Sequence, residues 1–136
     1  MAFDIVKDDF SKVAEIGYTF ELKLPTGAPS GAKLTVIGEM SKTVKDYSRK
    51  KFAEWQQRQA IAKRKGKEAE ELSLEEAEEL SIESALVRLI GWEGITENGK
   101  EVPFSKEKAA QVLRDHPWIR DAIMQDSADV TNFRPR

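Results

Sequence analysis

The chain has 136 residues, 40% hydrophobic and 34% charged, with a formal net charge of -2 and no cysteine. A chain of that size suits one domain, spanning 1–136 and burying roughly 65–70% of its unfolded surface, and its composition excludes disorder throughout. Disulfides and thiolate chemistry are excluded, and with no apolar run near the ~20 residues of a membrane span and no signal-peptide start at Met1-Ala2-Phe3-Asp4, the expectation is a soluble protein that stays where it is made.

Phe3, Val6, Phe10, Val13 and Ile16 recur in steps of three and four, the spacing of a short helix. Tyr18, Phe20, Leu22 and Leu24 then alternate with Thr19, Glu21 and Lys23, which predicts a strand. Pro25 to Gly31 reads as a loop, and Lys33-Leu34-Thr35-Val36-Ile37 as a second strand ended by Gly38. The strand pair over 17–38 forms an antiparallel hairpin, which is marginal alone and must pack on helices or pair with another chain.

Ser41 caps the next helix, over 42–65, whose apolar residues Val44, Tyr47, Phe52, Trp55 and Ala62 fall in one stripe before Gly66 ends it. Ser73 and Glu76 form a capping box for a helix over 73–90, stopped at Gly91, with an acidic first half in solvent and an apolar second half in the core. Asn98-Gly99 predicts a type I′ turn between short extended arms. Ser105 caps a helix over 105–114, and Pro117 opens a final helix over 117–127, with Asp115 or His116 at its cap. A polar tail covers 128–136. The fold class is therefore α+β: mostly α-helical, with a small N-terminal β-hairpin packed on helices.

Charge is divided sharply along this chain. Lys42 to Lys67 holds ten Lys or Arg against Asp46 and Glu54, while Glu68 to Glu83 holds eight Glu and no base. The basic helix over 42–67, with Arg49, Lys50, Lys63 and Arg64, could neutralise phosphates, so one reading is a small nucleic-acid-associated regulator. The neighbouring acidic helix opposes that, since it repels phosphate and competes for the same lysines. Two solvated faces of opposite sign fit the pattern better, and a third possibility is charge-complementary contact between subunits through Arg49, Lys50, Lys63, Arg64, Glu75 and Glu79.

Nothing points to a reaction, and the expectation is a protein that is not an enzyme and takes no cofactor. The glutamates lack calcium-loop spacing, His116 is the only histidine, and no glycine spacing cradles a phosphate. The aromatics Tyr47, Trp55, Trp92, Phe104, Trp118 and Phe133 have two readings. They plug a core, each burying a large area, or some stand exposed as anchors for an apolar helix of a partner. The core reading is favoured for Tyr47 and Trp55, on the apolar stripe, and for Trp92 and Phe104, around a turn; for Trp118 and Phe133 both stay open.

The order Leu89-Ile90-Gly91-Trp92-Glu93-Gly94, Asn98-Gly99, Pro103-Phe104-Ser105, Pro117-Trp118 and Asn132-Phe133 resembles the tail assembly chaperones of long-tailed bacteriophages. The Leu34-Thr35-Val36-Ile37-Gly38 strand and the basic helix after Ser41 are also similar to that family. The resemblance implies binding to the tape measure protein, keeping it soluble and promoting tail tube polymerisation around it. It also implies self-association, and contact with the tail tube protein through a longer frameshifted form. The protein would act in the cytoplasm of the infected bacterial host and be absent from the mature virion. No membrane partner is implied, and nucleic acid is the lesser alternative.

Overall fold

Alternation sets the N-terminal sheet. In β1 (Tyr18–Lys23) and β2 (Pro29–Val36), residues Phe20, Leu22, Ala32, Leu34 and Val36 turn inward, while Thr19 and Thr35 pair their hydroxyls at 2.7 Å on the other face. The computed structural model describes residues 2–67 and 72–134. The elements run α1 (Phe10–Ile16), β1, β2, α2 (Lys42–Arg64), α3 (Leu74–Arg88), β3 (Leu89–Glu93), β4 (Thr96–Glu97), β5 (Lys100–Glu101), α4 (Lys106–Asp115) and α5 (Pro117–Ala128), with a 3-10 turn at Val130–Asn132.

The fold is α+β, as expected, but the N-terminal sheet has three strands in the order β1-β2-β3, all antiparallel. On spacing alone, Leu89 and Ile90 belong to the end of a helix. Instead Leu89 turns extended (φ -86°, ψ 116°), and Leu89–Glu93 lies along β2 with Leu34 opposite Trp92 and Lys33 opposite Glu93. Tertiary pairing here overrides a helical pattern that continues on sequence alone. The second strand starts earlier than expected, at Pro29 inside the segment read as a loop, where the Ser30 hydroxyl donates to the Leu22 carbonyl.

Helices α3, α4 and α5 pack on one another, and α5 lies against β1 and β2. Ile82, Ala85 and Leu89 meet Ala109, Leu113, Ile119 and Ile123 over the buried side of the sheet. Each such aliphatic side chain contributes ~1.5–3 kcal/mol relative to exposure. The serine caps hold as expected: Ser41, Ser73 and Ser105 accept from Val44, Glu76 and Lys108 amides. Helix α2 closes at Gly66, with Gly66 and Lys67 amides donating to Lys63 and Ala62 carbonyls. Asn98 (φ 52°) and Gly99 (φ 81°) take the positive φ of the expected turn between β4 and β5. His116 sits at the start of α5 without a side-chain cap bond.

The N-terminal end differs from expectation. The first helix covers only Phe10–Ile16, because Asp4 accepts from the amides of Val6 and Lys7 and closes a separate turn before it. In the polar tail Asp129 caps the 3-10 turn, Asn132 donates to the Asp126 carbonyl, and Phe133 is buried. The Phe133 ring lies edge-on to Tyr18 at 6.1 Å and close enough to Gly38 that a Cβ there would approach it to 3.1 Å. Phe133 is therefore a core plug rather than an anchor. Phe133→Ala should lower the free energy of unfolding by about 3 kcal/mol in equilibrium denaturation; a change below about 0.5 kcal/mol, the surface range, would contradict that placement.

Candidate functional site

Apolar side chains face outward on the N-terminal segment, where Phe3, Ile5, Val6 and Ile16 are exposed, and on two further surfaces. The first is a groove of about 440 Å³ on the body, between the far end of the hairpin, the β3–β4 turn and the start of α5. Leu22, Leu24, Ile95, Val112, Trp118 and Ile119 give it an apolar lining. Lys108 and Glu97, paired at 2.8 Å, stand at its edge with Asp115 and His116. Trp118 also borders a second groove with Phe20, Pro25 and Ala122, so the indole forms the ridge between the two.

Two of the motif aromatics, Trp92 and Phe104, lie behind the Ile95 and Val102 side of the first groove. Trp92 Nε1 donates to the Val102 carbonyl at 2.8 Å, and its ring meets Phe104 edge-on at 5.1 Å. The Val102 amide donates in turn to the Ile95 carbonyl. Gly94 allows the turn to approach β2: at φ +77° it favours glycine, and a Cβ would lie 2.4 Å from the Gly31 carbonyl oxygen. Trp92 and Phe104, partly buried against the core, thus support the Ile95 and Val102 side of the groove from behind.

The second surface is the arm made by α2 and α3. Its 23-residue first helix extends about 35 Å. Along the seam, Lys51 pairs with Glu83 at 2.6 Å and Arg58 with Glu76 at 2.8 Å, and Tyr47 shares a hydrogen bond with Ser84. Burial pushes the Tyr47 phenol up from its ordinary pKa. Only Val44 and Ala62 of α2 are buried. The apolar stripe predicts a core position for Phe52 and Trp55, but they stack on each other at 5.9 Å and remain 58% and 54% exposed. The stripe fails as a core signal because the body packs on α3 rather than on the length of α2. Leu72, Leu74 and Leu80 are also exposed.

The six aromatics therefore do not form one site. Tyr47 and Trp55 lie on the arm, Trp92 and Phe104 behind the groove, Trp118 at its edge, and Phe133 in the core. Arg49, Lys50, Lys63, Arg64 and Glu75 are exposed and make no ion pair among the described residues. Glu79 is already engaged by Arg114 of α4 at 3.0 Å. Glu68, Glu70 and Glu71 lie outside the described residues.

Two cations that the sequence reading passed over fix the base of these surfaces. Lys106 donates to the Leu86 carbonyl and, at 2.6 Å, to that of Leu89, satisfying the end of α3; its burial lowers its pKa. Arg88 is buried, donates to the Ser84 carbonyl at 2.7 Å and lies 3.6 Å from Glu39. At the sequence level both look like ordinary surface residues of helix ends. Among the described residues, no helix is long and apolar enough to cross a membrane, and no cluster of three His, Asp or Glu side chains could hold a metal ion.

The fold and these surfaces define a small α+β protein with apolar side chains turned outward. A family profile described as "YdaY prophage protein" matches residues 41–136, more than half of the chain, which therefore belongs to that prophage family. No curated protein and no solved structure matches it.

Electrostatics of the seam are testable. The Arg58 hydrogen bond holds the Glu76 carboxyl below its ordinary pKa. A depressed carboxylate pKa contributes stability that is present above the unfolded value and lost as pH falls through the folded one. An NMR titration should place the Glu76 midpoint below the ordinary glutamate range, and Arg58→Gln should return it upward. A midpoint that Arg58→Gln leaves unmoved would contradict the pairing.

Proposed function

We propose that this prophage protein is a tail assembly chaperone that binds the tape measure protein, keeps it in solution and promotes tail tube polymerisation around it. The observation that carries the reading is the apolar groove beside Trp118. A tape measure protein is a long, mostly helical chain whose apolar stripe is exposed until the tube covers it. One turn of such a helix can seat apolar side chains in the groove, with Trp118 as the anchor. Many copies, each holding weakly, would shield the stripe along its length. Holding needs no bond to be made or broken, so no catalytic group or cofactor is assigned. The protein acts in the host cytoplasm and does not remain in the virion. Contact with the tail tube protein belongs to a longer, frameshifted form.

The motif order and the prophage family both support this reading. The exposed cations Arg49, Lys50, Lys63 and Arg64 favour a second one, a nucleic-acid-associated regulator. Charge reversal at those four positions separates the two, because a regulator would lose a strongly salt-dependent affinity for DNA or RNA.

Co-expression with the tape measure protein of the same prophage tests the first reading. The native chain should raise the soluble fraction of the tape measure protein and co-purify with it. Trp118→Ala should weaken the complex by about 2 kcal/mol, roughly thirty-fold, without unfolding the chain. A tape measure protein equally soluble with and without the chain would overturn the proposal.

A further inference from the structure

The arm carries an apolar face that the body leaves uncovered. At ~100° per residue, Phe52 lies about 100° around α2 from Lys51 and Arg58, which face α3. Ala77 lies at a similar angle around α3 from Glu76 and Glu83, which face α2. Because the two helices run antiparallel, these positions fall on one side of the hairpin. Leu80 and Trp55, both lining the groove along the seam, lean toward the same side. The opposite side is occupied, since Glu79 there meets Arg114 and Ile82 enters the core. The free face thus combines the stacked, half-exposed Phe52 and Trp55 on α2 with the small, exposed Ala77 and Ser81 on α3.

Charge selects what covers this face. From Lys42 to Lys67 the chain carries ten bases against two acids, and from Glu68 to Glu83 eight acids and no base. A two-fold axis across the arm would stack α2 on α2 and α3 on α3, like charge on like. A two-fold axis along the arm places α2 of each copy over α3 of the other, unlike charge on unlike. The same axis preserves height along the arm. The level of Phe52 and Trp55 in one copy then meets the level of Leu80 and Ser81 in the other, so large rings lie over small residues.

We propose that two copies of this chain pair arm to arm about an axis along the arm, closing the Phe52–Trp55 face into a four-helix bundle. The pairing does not depend on which client the body groove holds. It leaves Trp118 free in each copy and so joins two grooves in one particle.

Size-exclusion light scattering on the full chain should give twice the mass of one chain, and Phe52→Asp with Trp55→Asp should halve it while the helical circular dichroism is retained. A native chain that remains single at every concentration up to its solubility limit overturns the pairing, as does a double variant that keeps the doubled mass. Because the chain has no cysteine, introduced ones report the axis. Bridgeable positions must lie within about 7 Å between Cα atoms. Gln59→Cys mixed with Ala77→Cys should form a cross-linked heterodimer under oxidation, and Gln59→Cys alone should not. Self-linking of Gln59→Cys, or no link in the mixture, overturns the proposed axis.

Discussion

The pairing of β3 with β2 is the constraint on which the rest of the structure depends. It joins residues about sixty apart in the chain, Lys33 to Glu93 and Leu34 to Trp92. Helix α3 runs into β3 without a loop, so fixing the strand also fixes the root of the arm. The Ile37 amide donates to the Arg88 carbonyl at that junction, and Lys106 satisfies the carbonyls of Leu86 and Leu89 beside it. Loss of this pairing would release the arm, the β3–β4 turn and the wall of the Trp118 groove together. The buried Leu34, Val36 and Leu89 supply the apolar burial that holds it.

The arm is stabilised in another way. Its seam is made of exposed or half-exposed ion pairs, each worth ~0–1 kcal/mol and screened by salt. Apolar burial along α2 is confined to Val44 and Ala62. A helix of 23 residues held by so little, with two large rings turned outward, has the composition of an interaction surface rather than of a core element. The body is the reverse, with a closed core and apolar grooves on either side of Trp118. Exposed apolar surface is thereby divided between grooves on the body and a face on the arm.

Local signals were legible in the sequence and long-range ones were not. The three serine caps, the Asn98-Gly99 turn and the alternation of β1 depend on neighbours a few residues away, and each is found where expected. Leu89 and Ile90 continue a helical pattern, and only the distant β2 makes them extended. Trp55 and Phe52 satisfy the amphipathic spacing of a core helix, but spacing cannot say whether anything packs against the stripe. Phe133 sits in a polar tail and is drawn inward by Tyr18 and the bare backbone of Gly38. The groove itself is made by residues from 22 to 119 converging from five elements, β1, β2, β4, α4 and α5, so no stretch of sequence announces it.

Hydrogen exchange on the chain, alone and bound to the tape measure protein of its prophage, tests the central claim most directly. The account predicts new protection at residues 22–24, 94–97 and 112–119, around the groove. A complex that leaves those segments exchanging as in the free chain, or no complex at all, would contradict it.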